Sequence, residues 1–146
     1  MESTIAIEKA RLDQLNAICS LLQTEHLPTI DINPVLENFF VAVDGQHIAG
    51  VIGMDTYGKY GLLRSAIVDE AYRNKGVATL LVDRLLASAK QHGIATVYLI
   101  TNTAEEYFKR KGFTTIARDG VPDAVLQSKE FNGLCPASAV AMLRQL

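Results

Sequence analysis

The sequence predicts an α/β protein of the mixed α+β kind, a sheet of six to seven strands with helices on both faces. Three observations predict it. Short β-branched and aromatic runs come first, separated by turn residues. A long amphipathic segment then follows a nearly continuous apolar run. The second half finally reads strand, helix, strand, which calls for a parallel crossover after the antiparallel hairpins.

The elements follow in order. Residues 4–8 alternate as Thr-Ile-Ala-Ile-Glu, a first strand, and Leu12, Leu15, Ile18, Cys19 and Leu22 recur at helical spacing. Pro28 and Pro34 hold residues 26–38 as a loop with at most one short helix from Pro34. Residues 39–43 and 48–54 are two strands joined through Asp44-Gly45, a strong hairpin signal. Residues 62–68 are apolar almost throughout, as expected of a central strand covered on both faces. Residues 76–92 form the clearest helix, with Val77, Leu80, Leu81, Leu85, Leu86 and Ala89 on one side and Gly93 as its stop. Residues 96–100 read as a strand, 103–111 as a short helix closed by Gly112, and 113–117 as another strand. Residues 122–129 suit a turn or two of helix, and 138–146 are assigned as a last strand.

With 146 residues the chain predicts one domain, residues 1–146. Lys and Arg total 14 against 16 Asp and Glu, a net charge of −2, so no global positive field holds a nucleic-acid backbone. Apolar stretches break within about ten residues, short of the roughly 20 needed to span a bilayer, and the start has no signal-peptide pattern. A cytoplasmic protein with neither nucleic acid nor membrane as partner is expected; a homodimer is left open. Cys19 and Cys135 form no Cys-x-x-Cys and are expected as reduced thiols. His26, His47 and His92 show no ligand spacing, and no metal is expected.

The most specific feature is the junction at residues 67–81, where a buried strand gives way to a helix through Arg73-Asn74-Lys75-Gly76-Val77-Ala78. A helix's first turn leaves about four N–H groups unpaired and carries roughly half a positive charge. Gly76 lets an anion approach the backbone, Ala78 keeps the next turn low, and Arg73 and Lys75 add cationic heads. A pyrophosphate fits such a cradle. The other nucleotide signatures, Gly-x-Gly-x-x-Gly and Gly-x-x-x-x-Gly-Lys-Ser/Thr, are missing.

With these residues in their strand and helix context, and Lys111-Gly112-Phe113 closing the second half, the sequence resembles the GNAT family of acetyl-CoA-dependent N-acetyltransferases. The resemblance implies that residues 73–78 bind the pyrophosphate of acetyl-CoA through main-chain amides and that Ile67 and Val68 pair with the pantetheine arm. It also implies an oxyanion donor on the backbone near Val68, and Asn102, Thr103 and Phe108 among the residues lining the coenzyme. The family often has a Tyr acid four residues ahead of the glycine. Here that position is Phe108, and Tyr107, one residue earlier, is displaced by about 100° on the helix. Either Tyr107 reaches the sulfur or water does the work. No Asp or Glu lies on residues 62–68, so the base would be a water chain to Asp55, Glu37 or His26.

Arg64 is a guanidinium in an apolar strand and needs a carboxylate, from the protein or from a substrate. Residues 130–139, with Leu63-Arg64-Ser65 and Asp119-Gly120-Val121-Pro122, resemble a narrower GNAT branch found with arsenic-resistance genes. That implies a small amine acceptor resembling an amino acid, an arsenic-containing one among the candidates, with Arg64 and Ser65 on it and Phe131, Cys135 and Ser138 closing the pocket. Two rivals are a coenzyme A-binding sensor without chemistry and an acetyltransferase of protein amines.

Overall fold

Period-two patterning at the start becomes a set of antiparallel strands in the computed structural model, which describes residues 5–24, 38–101, 104–126 and 139–146. The strands are β1 (Ile5–Lys9), β2 (Phe39–Asp44), β3 (His47–Tyr57), β4 (Tyr60–Val68), β5 (Thr96–Thr101), β6 (Thr114–Ile116) and β7 (Val140–Gln145). The helices are α1 (Leu15–Gln23), α2 (Val77–Gln91), α3 (Glu105–Arg110) and α4 (Asp123–Leu126). The sheet has seven strands in the order β1-β2-β3-β4-β5-β7-β6, so β4 is central. The β4–β5 pair is parallel, with Tyr60–Leu62 opposite Thr96–Tyr98, and β4 runs on beyond that ladder to Val68.

The chain divides into two compact units, Met1–Met54 with Arg64–Ser88, and Asp55–Leu63 with Ala89–Leu146. In the first, α1 buries Ile18 and Leu22 against Phe39, Val41, Val43 and Val51. Each of those two helix side chains is 0% exposed, a burial that stabilises by about 1.5–3 kcal/mol apiece. The opposite face of β2 meets α2: the Arg84 guanidinium lies 5.3 Å from the centre of the Phe40 ring. Alternation of side chains along one strand thus puts Phe39 and Phe40 under different helices. In the second unit, Leu62, Tyr98, Val121, Val125 and Ala141 share a core, with Tyr60 edge-on to Tyr98 at 5.9 Å.

Several details differ from the sequence reading. Leu12, counted in the apolar stripe of the first helix, is 64% exposed, because residues 12–14 form a separate 3-10 turn and α1 starts at Leu15. The first hairpin turns at Gly45-Gln46, and its register slips between Ala42 and Val43, which leaves Ala49 as an extra residue in β3. That slip has a use: the Ala49 carbonyl accepts from the Asp69 amide at 2.7 Å. The last segment is a strand as assigned, and it inserts between β5 and β6, antiparallel to both.

Candidate active site

The junction at the end of β4 is built from local chemistry. Asp69 is extended and caps a 3-10 turn, Glu70–Tyr72, its Oδ1 accepting from the Ala71 amide at 3.2 Å. Asn74 and Gly76 then take left-handed conformations, φ 64° and 79°, reversing the chain into α2. Asn tolerates that region and Gly enters it without steric cost. Among the described residues, a Cβ added at Gly76 would meet nothing within 4 Å, so they leave the space beside it open.

Among the described residues, the amide N–H groups of Asn74, Lys75, Gly76, Val77 and Ala78 make no hydrogen bond of good geometry, although residues 73–76 are in a turn, and the Leu80 amide donates to the Gly76 carbonyl at 3.2 Å. The first turn of α2 carries no acidic side chain, whereas α3 starts with Glu105 and Glu106 and α4 with Asp123. The positive end of the α2 dipole therefore has no carboxylate of its own, which suits an external anion. Gly50 seats this turn. A Cβ there would lie 3.0 Å from Leu81 Cδ1, 3.1 Å from the Ile67 carbonyl and 3.4 Å from Val77 Cγ1, so its bare backbone lets β3 approach both β4 and the start of α2.

The two expected cationic heads lie along the protein. Arg73 donates from Nε to the Val68 carbonyl at 3.0 Å, and the Lys75 ammonium sits 5.9 Å from the centre of the Tyr72 ring. A cluster the sequence reading did not assemble backs the turn. The Asp69 Oδ2 and His47 Nε2 are 2.9 Å apart, Tyr72 donates from its hydroxyl to Asp44 Oδ2 at 2.6 Å, and the His47 and Tyr72 rings stack at 5.5 Å. The Ala71 amide first, then the His47 hydrogen bond, hold the Asp69 carboxyl below its ordinary range. The hydrogen bond to Asp44 first, then burial, push the Tyr72 phenol upward. An Asp just ahead of a helical turn is a capping signal that could have drawn attention to Asp69, whereas Asp44 and His47 are more than 20 positions away and carry no such local signal.

Arg64 is buried at 3% exposure, as a guanidinium inside β4 must be, and donates from Nε to Ser65 Oγ at 3.1 Å. Ser65 has φ 58° in mid-strand, a conformation that costs an L residue about 1 kcal/mol or more. In the second unit, Phe108 is buried, edge-on to Phe113 at 5.5 Å and to Tyr107 at 5.2 Å, so packing accounts for its ring. Tyr107 is half-buried. Lys109 pairs with Glu105 and Glu106 at 3.7 Å each, a solvated helix face. Asn102, Thr103, Phe131, Cys135, Ser138, His26 and Glu37 lie outside the described residues. Among the described residues no group of His, Cys, Asp or Glu is arranged to hold a metal ion, and no helix is long and apolar enough to cross a membrane.

The acetyltransferase (GNAT) domain family matches residues 36–115, more than half the chain, and the match includes β2 through α3 and the whole 67–81 junction. The chain belongs to the GNAT family. Among its GNAT relatives is an uncharacterized N-acetyltransferase of Chlorobaculum tepidum, 28% identical over 82% of this chain and 81% of that protein. An amino-acid acetyltransferase of Mycobacterium tuberculosis is 26% identical over 88% of this chain and 76% of that protein. The fold is that of N-acetylglutamate synthase from Neisseria gonorrhoeae, solved with coenzyme A and N-acetylglutamate, with a TM-score of 0.84 at 17% identity. All of this chain is covered in that comparison but only 36% of the Neisseria chain, so this GNAT domain spans about a third of its length.

Proposed function

We propose that this chain is an acetyl-CoA-dependent N-acetyltransferase whose acceptor is a small amine of amino-acid type. The observation that carries the reading is the row of amides from Asn74 to Ala78 at the start of α2, which make no hydrogen bond of good geometry among the described residues. These donors fit a diphosphate, the first turn of α2 carries no carboxylate of its own, and the described residues leave the space at Gly76 open. The backbone of Ile67 and Val68, on the part of β4 beyond its ladder with β5, has the extended form that pairs with a pantetheine arm. Acetyl-CoA, when bound, supplies the thioester acyl group.

The protein's own residues have three tasks: taking a proton from the acceptor ammonium, stabilising an oxyanion and protonating a leaving thiolate. We assign the oxyanion to the backbone at Val68, where Arg73 fixes the end of β4 through the Val68 carbonyl. Tyr107 is the candidate thiol-side acid, because the usual position is Phe108 and has no proton to give. Arg64 and Ser65 are read as acceptor-binding, the guanidinium matching a carboxylate by paired hydrogen bonds. The amino-acid acetyltransferase among the relatives supports a carboxylate-bearing acceptor, and the tail resemblance adds arsenic-containing amino acids to the candidates.

Release of free thiol from acetyl-CoA, measured against a panel of amino acids, arsenic-containing analogues and lysine peptides, tests the proposal. Turnover is expected with one or more free amino acids. Tight coenzyme A binding without turnover above the blank would make the chain a sensor, and turnover confined to peptides would make it a protein acetyltransferase.

A further inference from the structure

The loop that leads into α2 is fastened at two points to the turn between β2 and β3. Asp44 and His47 are opposite each other in the register, one on each side of Gly45-Gln46. Asp44 accepts from the Tyr72 hydroxyl at 2.6 Å, and His47 meets Asp69 at 2.9 Å while its ring stacks on Tyr72 at 26° between planes. Asp69 and Tyr72 bracket the 3-10 turn, and the left-handed Asn74 comes two residues after Tyr72. The ammonium of Lys75 lies over the same Tyr72 ring. We infer that Asp44 and His47 are positioning residues for coenzyme binding, acting through Tyr72 and Asp69 to fix the direction of the amides at 74–78.

The physical ground is preorganisation. Ordering one residue's backbone costs roughly 1–2 kcal/mol, and a loop already ordered when the anion arrives avoids that cost at binding. The clamp touches neither reacting atom, so its loss weakens coenzyme affinity and leaves the chemical step alone. His47 sits on the surface at 55% side-chain exposure. Core packing therefore gives no reason for the pairing, and its value lies in what it holds. The inference rests on the coenzyme reading of residues 74–78.

The test measures coenzyme A dissociation by calorimetry, and steady-state kinetics, for Tyr72→Phe, Asp44→Ala, their double variant, Asp44→Asn, His47→Ala and His47→Gln, with a thermal melt of each. We expect dissociation constants and the KM for acetyl-CoA to rise about three- to tenfold in Tyr72→Phe, Asp44→Ala and His47→Ala. The acceptor KM and kcat should stay unchanged. The double variant should be no worse than either single one, and Asp44→Asn and His47→Gln, which keep an acceptor and a donor, should recover most of the affinity. Unchanged coenzyme affinity in the three truncations, or additive losses in the double variant, overturns the clamp. Gly76→Asn separates the two ideas: if it weakens coenzyme A while the clamp variants do not, the coenzyme site stands and the clamp fails. If it too leaves affinity unchanged, the coenzyme reading itself is wrong.

Discussion

The Arg73 side chain turns back on its own strand and donates from Nε to the carbonyl of Val68 at 3.0 Å. Both residues were picked out for the site, one as a cation at its mouth and the other on the strand beneath it. The bond joins the last residue of β4 to the first residue of the 73–78 loop, so the strand end and the loop are set together.

Gly76 tests the loop most directly. Asn there keeps the left-handed backbone accessible, as Asn74 does in the same loop, but places a side chain in the open space where a diphosphate would lie. Gly76→Asn should leave the melting temperature within a few degrees and raise the coenzyme A dissociation constant at least about tenfold, or 1.4 kcal/mol. Titration calorimetry checks this, and unchanged affinity rejects the assignment.

Gly50 controls the seat of α2. An Ala Cβ would press on Leu81 and on the Ile67 carbonyl, and the carbonyl belongs to the sheet and yields little. Gly50→Ala is expected to destabilise by about 1–3 kcal/mol and to weaken coenzyme A binding as the first turn shifts. Denaturant unfolding alongside calorimetry reads both effects.

Arg64 separates acceptor from coenzyme. Arg64→Ala should raise the acceptor KM about tenfold or more, with coenzyme A affinity changed less than about twofold, because a charge-assisted hydrogen bond is worth about 1.5–3 kcal/mol. Arg64→Lys should not restore it, since the planar fork is lost. Equal losses toward both substrates would mean a folding defect.

Asp69 makes stability depend on pH in a defined direction. Its carboxyl is held low in the folded protein, chiefly by the Ala71 amide and next by His47. The stabilisation is therefore present above the unfolded value of about 3.9 and is lost as pH falls through the lower folded value. Asp69→Asn keeps a capping oxygen and removes the charge, so it should lower the melting temperature at pH 7, with the difference closing in strong acid. Thermal melts across that range check the sign.

Local periodicity was enough to place most elements. Side chains at 3.6- and two-residue spacing report which face of a helix or strand is buried, whatever that face packs against. The apolar run through Leu62 to Val68 and the stripe through Val77, Leu81, Leu85, Leu86 and Ala89 were legible for that reason, whereas Leu80, counted in the same stripe, is 47% exposed. The Arg64 burial was legible too, since its neighbours in the strand are apolar.

The sequence by itself determined the mixed sheet, the start of α2 and the glycine-bearing turn at residues 73–78 that leads into it, because each depends on neighbours a few residues apart. Only the tertiary structure decided that β7 lies between β5 and β6, that an extra residue at Ala49 offers its carbonyl to Asp69, and that His47 meets Asp69 across 22 positions. Those outcomes are set by strand register and by the packing of distant segments, which depend on the three-dimensional competition among surfaces and leave no periodic trace along the chain.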